Sequence, residues 1–143
     1  MNKAIKYRIY PTTEQIVLHL KTFGCCRKVW NLMLADKIAF YEQTGSMLKN
    51  TPAQYKASYP FLREVDSLAL ANEQLHLQAA YNAFFKNKSI GFPNFKSAKR
   101  SKRAYTTNNQ KGTIALAEKG IKLPKLGIVK AKLHRLPKNR VDT

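Results

Sequence analysis

Residues 3–11 read Lys-Ala-Ile-Lys-Tyr-Arg-Ile-Tyr-Pro. Ile5, Tyr7 and Ile9 alternate with Lys6, Arg8 and Tyr10. A strand here has one face for a core and one that is basic. Pro11 has no N–H for a sheet ladder and ends it. The same pattern returns near the other end of the chain. From Ile128 to Arg135, Val129, Ala131 and Leu133 point one way while Lys130, Lys132 and His134 point the other. Weaker strand signals lie at 105–108, 113–117 and 121–123, the last entering a turn at Pro124.

Between the two blocks the period changes from two to that of a helix. Thr12 and Gln15 have capping-box spacing before an apolar run to Leu20. Gly24 predicts a break. A second helix is expected from about Cys25 to Thr44, with Cys26, Trp30, Met33 and Tyr41 near one stripe and Gly45 closing it. Thr51-Pro52 opens a short helix that Tyr59-Pro60 stops. Ser67 is expected to cap a last long helix, with Leu68, Ala71, Leu75, Ala79 and Ala83 at helical spacing. Strand, helices, basic loop and strands together predict an α+β protein.

Lys and Arg number 26 and Asp and Glu 8, a net charge of +18 over 143 residues. Such an excess points to a polyanionic partner, a nucleic acid or an anionic membrane surface, and away from basic substrates. Residues 86–143 hold 16 of the cations and only 2 acids. With 44% hydrophobic residues the chain can pack a core. No apolar run approaches the ~20 residues of a membrane span, and no signal-peptide stretch follows the N-terminus. The expected location is the cytoplasm, with no membrane partner.

The chain offers little for catalysis. Cys25 and Cys26 are adjacent, without zinc-site spacing, and read as small buried apolar residues. His19, His76 and His134 are isolated. Among the eight carboxylates only Glu64 and Asp66 are close in sequence, before a helix whose N-terminus they would favour. A metal-dependent nuclease would want several converging carboxylates. No catalytic residue and no metal ligand is assigned, and no cofactor is expected.

The signal for nucleic acid is stronger. Phe92, Phe95 and Tyr105 are interleaved with Lys96, Lys99, Arg100, Lys102 and Arg103. Cations attract phosphate, and aromatic faces stack on unpaired bases. The two phenylalanines could equally pin the loop to the core. Thr106 to Gln110 adds neutral donors and acceptors that can meet base edges, although Asn108-Asn109 could also make a turn.

Five segments together resemble the N-terminal part of the TnpB (OrfB) family of insertion-sequence proteins. They are Lys6-Tyr7-Arg8-Ile9-Tyr10-Pro11, the stretch Thr22 to Asn31, Ala80-Tyr81-Asn82-Ala83-Phe84-Phe85, Gly91-Phe92-Pro93-Asn94-Phe95-Lys96, and Leu123-Pro124-Lys125-Leu126-Gly127. The resemblance covers residues 3–135 in order and spacing. It implies a helix-turn-helix or recognition region inside a partial oligonucleotide-binding-like β-barrel, the wedge domain, whose first strand is split from the rest by the helical insertion. On that basis residues 1–10 give the first wedge strand, 11–90 the helical domain, 91–103 a basic loop, 104–136 the remaining wedge strands and 137–143 a diverged tail.

Full-length relatives are RNA-guided DNA endonucleases related to type V CRISPR effectors. They continue into a RuvC-like nuclease that uses divalent metal. This sequence shows no such half, as a truncated or frameshifted reading frame would not. The resemblance implies RNA and DNA as partners and a module without its own nuclease site. The alternative is one half of a split endonuclease whose RuvC-like domain is a separate chain. The family reads a short motif beside its target through the helix near Ser67 and through a Thr-Asn pair, which Thr107 and Asn108 match; at the helix, Ser67 and Ala71 stand where relatives often carry longer side chains. The expected nucleic-acid-binding set is Lys6, Arg8, Arg27, Ser67, Phe92, Phe95, Lys96, Lys99, Arg100, Lys102, Arg103, Tyr105, Thr107, Asn108, Lys130 and Lys132.

Overall fold

A computed structural model describes residues 3–134, so Arg135, Leu136 and the 137–143 segment lie outside the described residues. The elements are β1 (Arg8–Tyr10), α1 (Thr13–Thr44), α2 (Ser67–Lys86), β2 (Ala115–Leu116), β3 (Gly120–Leu123) and β4 (Gly127–Lys132). Single 3₁₀ turns stand at Pro52–Tyr55, Pro60–Glu64 and Lys88–Ile90. The protein is α+β, with both helices inserted between β1 and the other strands. It divides into two compact units. One joins residues 1–19 to 108–143, and the other is Leu20–Thr107.

In the sheet unit the four strands form one antiparallel sheet in the order β1-β4-β3-β2. It is open, with β1 and β2 at its edges. Register is set by the two alternating stretches: Arg8 pairs with Lys132, Ile9 with Ala131 and Tyr10 with Lys130. Val129 and Ala131 are buried while Lys130 and Lys132 are exposed, as their alternation predicts. Gly120 lies opposite Lys130, and a Cβ there would stand 2.4 Å from the Val129 carbonyl oxygen. Only a glycine lets β3 approach β4 this closely. Lys125 and Gly127 take left-handed backbone to close the β3–β4 turn.

The capping box at the start of α1 forms as its spacing predicts. The Thr12 N–H donates to Gln15 Oε1 at 2.8 Å, and the Gln15 N–H donates to Thr12 Oγ1 at 3.2 Å. Gln15 Nε2 also donates to the Ile128 carbonyl at 2.9 Å and so ties this turn to β4.

The helical unit carries the larger core. Val29, Met33 and Leu34 of α1 are fully buried, as are Leu62 and, from α2, Leu70 and Leu77. At the far end of α1, Lys37 is buried and donates to the Leu48 carbonyl at 2.7 Å. Asn50 donates to the Tyr55 hydroxyl at 2.8 Å, and Tyr55 in turn to Asp36 Oδ2 at 2.6 Å.

Five local expectations are corrected. Gly24 does not break the helix: α1 runs unbroken for 32 residues. A mid-helix glycine costs about 0.5–1 kcal/mol, less than the burial of Cys25, Cys26, Val29 and Trp30 beside it returns. Tyr41 is not on the buried stripe but 57% exposed, because α1 outruns its core there. Asp66, not Ser67, caps α2, accepting from the Leu68 N–H at 3.0 Å. Ser67 is the first helical residue. The buried face of α2 is Ala69, Leu70, Glu73, Leu77 and Tyr81 rather than the Ala71–Leu75–Ala79 line, and Leu75 is 64% exposed. Residues 105–108 form no strand, and the strand expected over 113–117 shrinks to Ala115–Leu116.

Candidate nucleic-acid interface

Two sets of cations stand out, one in each unit. On the sheet, residues opposite each other in an antiparallel pair share a face. Arg8, Tyr10, Lys122, Ile128, Lys130 and Lys132 therefore line one face, and all are exposed. Arg8 stands directly across from Lys132, and Tyr10 from Lys130. The Arg8 guanidinium lies 5.9 Å from the Tyr10 ring centre. Among the described residues neither Arg8 nor Lys132 has an ion pair. Like charges set opposite each other across strands are destabilising, so this face is arranged for something other than stability. Lys6, just ahead of β1, is exposed as well.

In the helical unit the basic run is organised by a turn. The Ser101 N–H donates to the Ser97 carbonyl at 3.0 Å, and the Arg100 N–H to Ser97 Oγ at 3.3 Å. Lys99, Arg100, Lys102 and Arg103 surround that turn, exposed and without ion pairs among the described residues.

The preceding loop is held on α1. Trp30 Nε1 donates to the Asn94 carbonyl at 2.8 Å. Asn31 exchanges two hydrogen bonds with the Lys96 backbone, at 2.9 and 2.8 Å. Lys96 then places its Nζ 4.0 Å from the Trp30 ring centre and 4.0 Å from Glu73 Oε1.

The two phenylalanines separate. Phe92 meets Tyr81 and Phe84 edge-on at 5.3 and 5.4 Å, which pins the loop to α2. Phe95 is 56% exposed and presents its ring to solvent. Tyr105 packs against Phe23 at 5.7 Å. Burial, with the negative charge of Asp66 nearby, pushes the Tyr105 phenol up to about 12. Arg27, Lys96, Lys102 and Tyr105 are brought together around one cavity of about 320 Å³.

Thr107 is drawn to the start of α2, where its hydroxyl donates to Asp66 Oδ2. Ser67, next to Asp66, is exposed, and so is Asn108. The residues that sequence reasoning missed are Asp66, Glu73, Asn31, Tyr10 and Lys122. Asp66 and Ser67 are both good caps, so the dipeptide alone does not say which is used. Glu73 is 23 positions from Lys96, and no local pattern links them.

The cysteines are free and buried, and burial pushes the Cys26 thiol up to about 12. Neither is a reactive thiolate at neutral pH. Among the described residues no three of His, Cys, Asp and Glu group to hold a metal ion. No described helix is long and apolar enough to cross a membrane.

Residues 1–46 match the helix-turn-helix domain of the OrfB (IS605) type. Over these positions the chain forms β1 and the whole of α1, unbroken, rather than two helices joined by a turn. The chain is also similar to a protein of Streptomyces pristinaespiralis provisionally named an RNA-guided DNA endonuclease. The two are 35% identical over 129 aligned positions, covering 80% of this chain. The chain spans about a third of that relative, 32% of its length.

Proposed function

We propose that this chain, whose residues 1–46 match the OrfB-type helix-turn-helix domain, is the nucleic-acid-binding portion of a TnpB-type protein, holding a guide-like RNA and the DNA beside its target. Arg8, Lys130 and Lys132 on the sheet, and Lys99, Arg100, Lys102 and Arg103 around the Ser97 turn, contact phosphate. Such contacts position a strand without reading it. Phe95 stacks on an unpaired base. Ser67 and Thr107, near the start of α2, take the role of motif readers, as does Asn108 in the sheet unit. The sheet is the part of a wedge-like barrel that these residues supply. The chain binds rather than cuts, and a metal-dependent nuclease site belongs to residues other than these.

The observation that carries this reading is the opposition of Arg8 and Lys132 on the exposed sheet face. Two cations across adjacent strands repel each other until a polyanion neutralises both. The test is an equilibrium titration of the whole chain with a single-stranded RNA and a duplex DNA at several salt concentrations. Log K should fall linearly with log salt, at about 0.7 per phosphate contacted on single strands and about 0.9 on duplex. Binding that ignores salt contradicts the proposal.

A further inference from the structure

We infer that the cavity lined by Phe23, Arg27, Glu73, Lys102 and Tyr105 in the helical unit receives one unstacked guanine of a bound strand, with Glu73 as the group that reads it. The inference rests on the nucleic-acid reading above and adds a base-selective site to it. The cavity holds about 320 Å³, within the ~300–1,000 Å³ of small-ligand sites. Its walls bring three chemistries together.

The Phe23 and Tyr105 rings, tilted by 57° to each other, give an apolar wall. A base that leaves its stack needs such a surface. Arg27 and Lys102 have no ion pair among the described residues. They supply charge for the phosphate attached to that base.

Glu73 is the unusual member. Its side chain is only 8% exposed, yet it lines the cavity. His76 Nδ1 stands 3.2 Å from Oε2, while Oε1 has Lys96 Nζ at 4.0 Å, beyond hydrogen-bond length. An ionised carboxylate accepts hydrogen bonds and donates none. Each carboxylate oxygen has two lone pairs, so Oε1, and Oε2 beside its one His76 contact, both keep acceptor capacity for two adjacent donors of a ligand.

That requirement selects among bases. The pairing edge of guanine presents two adjacent donors, N1–H and the N2 amino group. Adenine and cytosine each present an amino group beside a ring acceptor, and uracil presents one N–H between two carbonyls. Against a carboxylate, each of these sets a lone pair where guanine sets a proton.

The test uses the whole chain and labelled 12-nucleotide oligouridines carrying guanine, inosine, adenine, cytosine or no base at the centre. The guanine oligomer should bind about tenfold or more tighter than the all-uridine one, the order of a single specific base contact. Inosine, which lacks the amino group, should fall between them, and the abasic oligomer should show no gain. In Glu73→Gln the five affinities should collapse to within about twofold. Equal affinities on the unaltered chain overturn the inference whatever the variant does, and so does a guanine preference that survives in Glu73→Gln. Salt-sensitive binding without base preference overturns the cavity assignment alone. No binding of any oligomer at low salt overturns the nucleic-acid reading with it.

Discussion

The two units carry the same net charge on very different foundations. Residues 1–19 with 108–143 hold 12 basic and 3 acidic side chains, and residues 20–107 hold 14 and 5. Each is therefore +9, the first on 55 residues and the second on 88. The helical unit rests on a core of fully buried Val29, Met33, Leu34, Leu62, Leu70 and Leu77. Among the described residues of the sheet unit the buried apolar side chains are Val129 and Ala131. Charge density is highest where the core is thinnest, so the sheet has the most to gain from a polyanion that neutralises its face.

Core truncation should separate the units most widely. Leu70→Ala should destabilise the helical unit by about 2–5 kcal/mol, read as a drop in denaturant midpoint. In the sheet unit the sensitive position is a backbone approach. Gly120→Ala forces a Cβ to within 2.4 Å of the Val129 carbonyl and should cost about 1–3 kcal/mol. A Gly120→Ala protein as stable as wild type would show that β3 and β4 are not held at this distance.

A smaller effect tests the junction at α2. Asp66→Ala removes the cap and the partner of Thr107, and should cost about 0.5–2 kcal/mol. Thr107→Val leaves one Asp66 oxygen without its donor, at about 1 kcal/mol. If Thr107→Val instead alters preference among duplex sequences at unchanged stability, its hydroxyl reads bases rather than bracing the helix.

The smallest effect is a pH dependence. Burial holds His19 below its ordinary value of 6.5. Above pH 6.5 it is neutral whether the chain is folded or not. Below that, the unfolded chain takes up a proton first, so stability falls as pH drops through the lowered folded value. Melting temperature should decline between pH 7.5 and 5.5, and less steeply in His19→Gln. Equal slopes for the two proteins would mean that His19 titrates alike in both states.

What the sequence made legible follows from how local each cause is. The alternation over 128–133 placed β4 on its correct faces because a strand has a period of two, whereas Ile9 of β1, expected to face the core, is 37% exposed at the sheet edge. The Thr12–Gln15 box and Gly45, with its φ of +74°, were readable because caps act within four residues. Gly24 misled because its local penalty is outweighed by burial, which spacing does not price. The face of α2 was misread because alanines fit either side of a helix, and only Leu70, Leu77 and Tyr81 together fix it. In the candidate site the cation run was plain as composition. Its arrangement was not, since the Lys96–Glu73 approach and the Asp66–Thr107 bond join residues 23 and 41 positions apart.

The most direct measurement compares salt dependence in two quadruple variants, Lys99, Arg100, Lys102 and Arg103 to Ala in the helical unit and Arg8, Lys122, Lys130 and Lys132 to Ala on the sheet. If each set holds about four phosphates, each variant should flatten the slope of log K against log salt by about 3–4 units, at ~0.7–0.9 per contact. Slopes unchanged from wild type in both variants, with both proteins folded, would show these cations to be solvated surface and contradict the binding role.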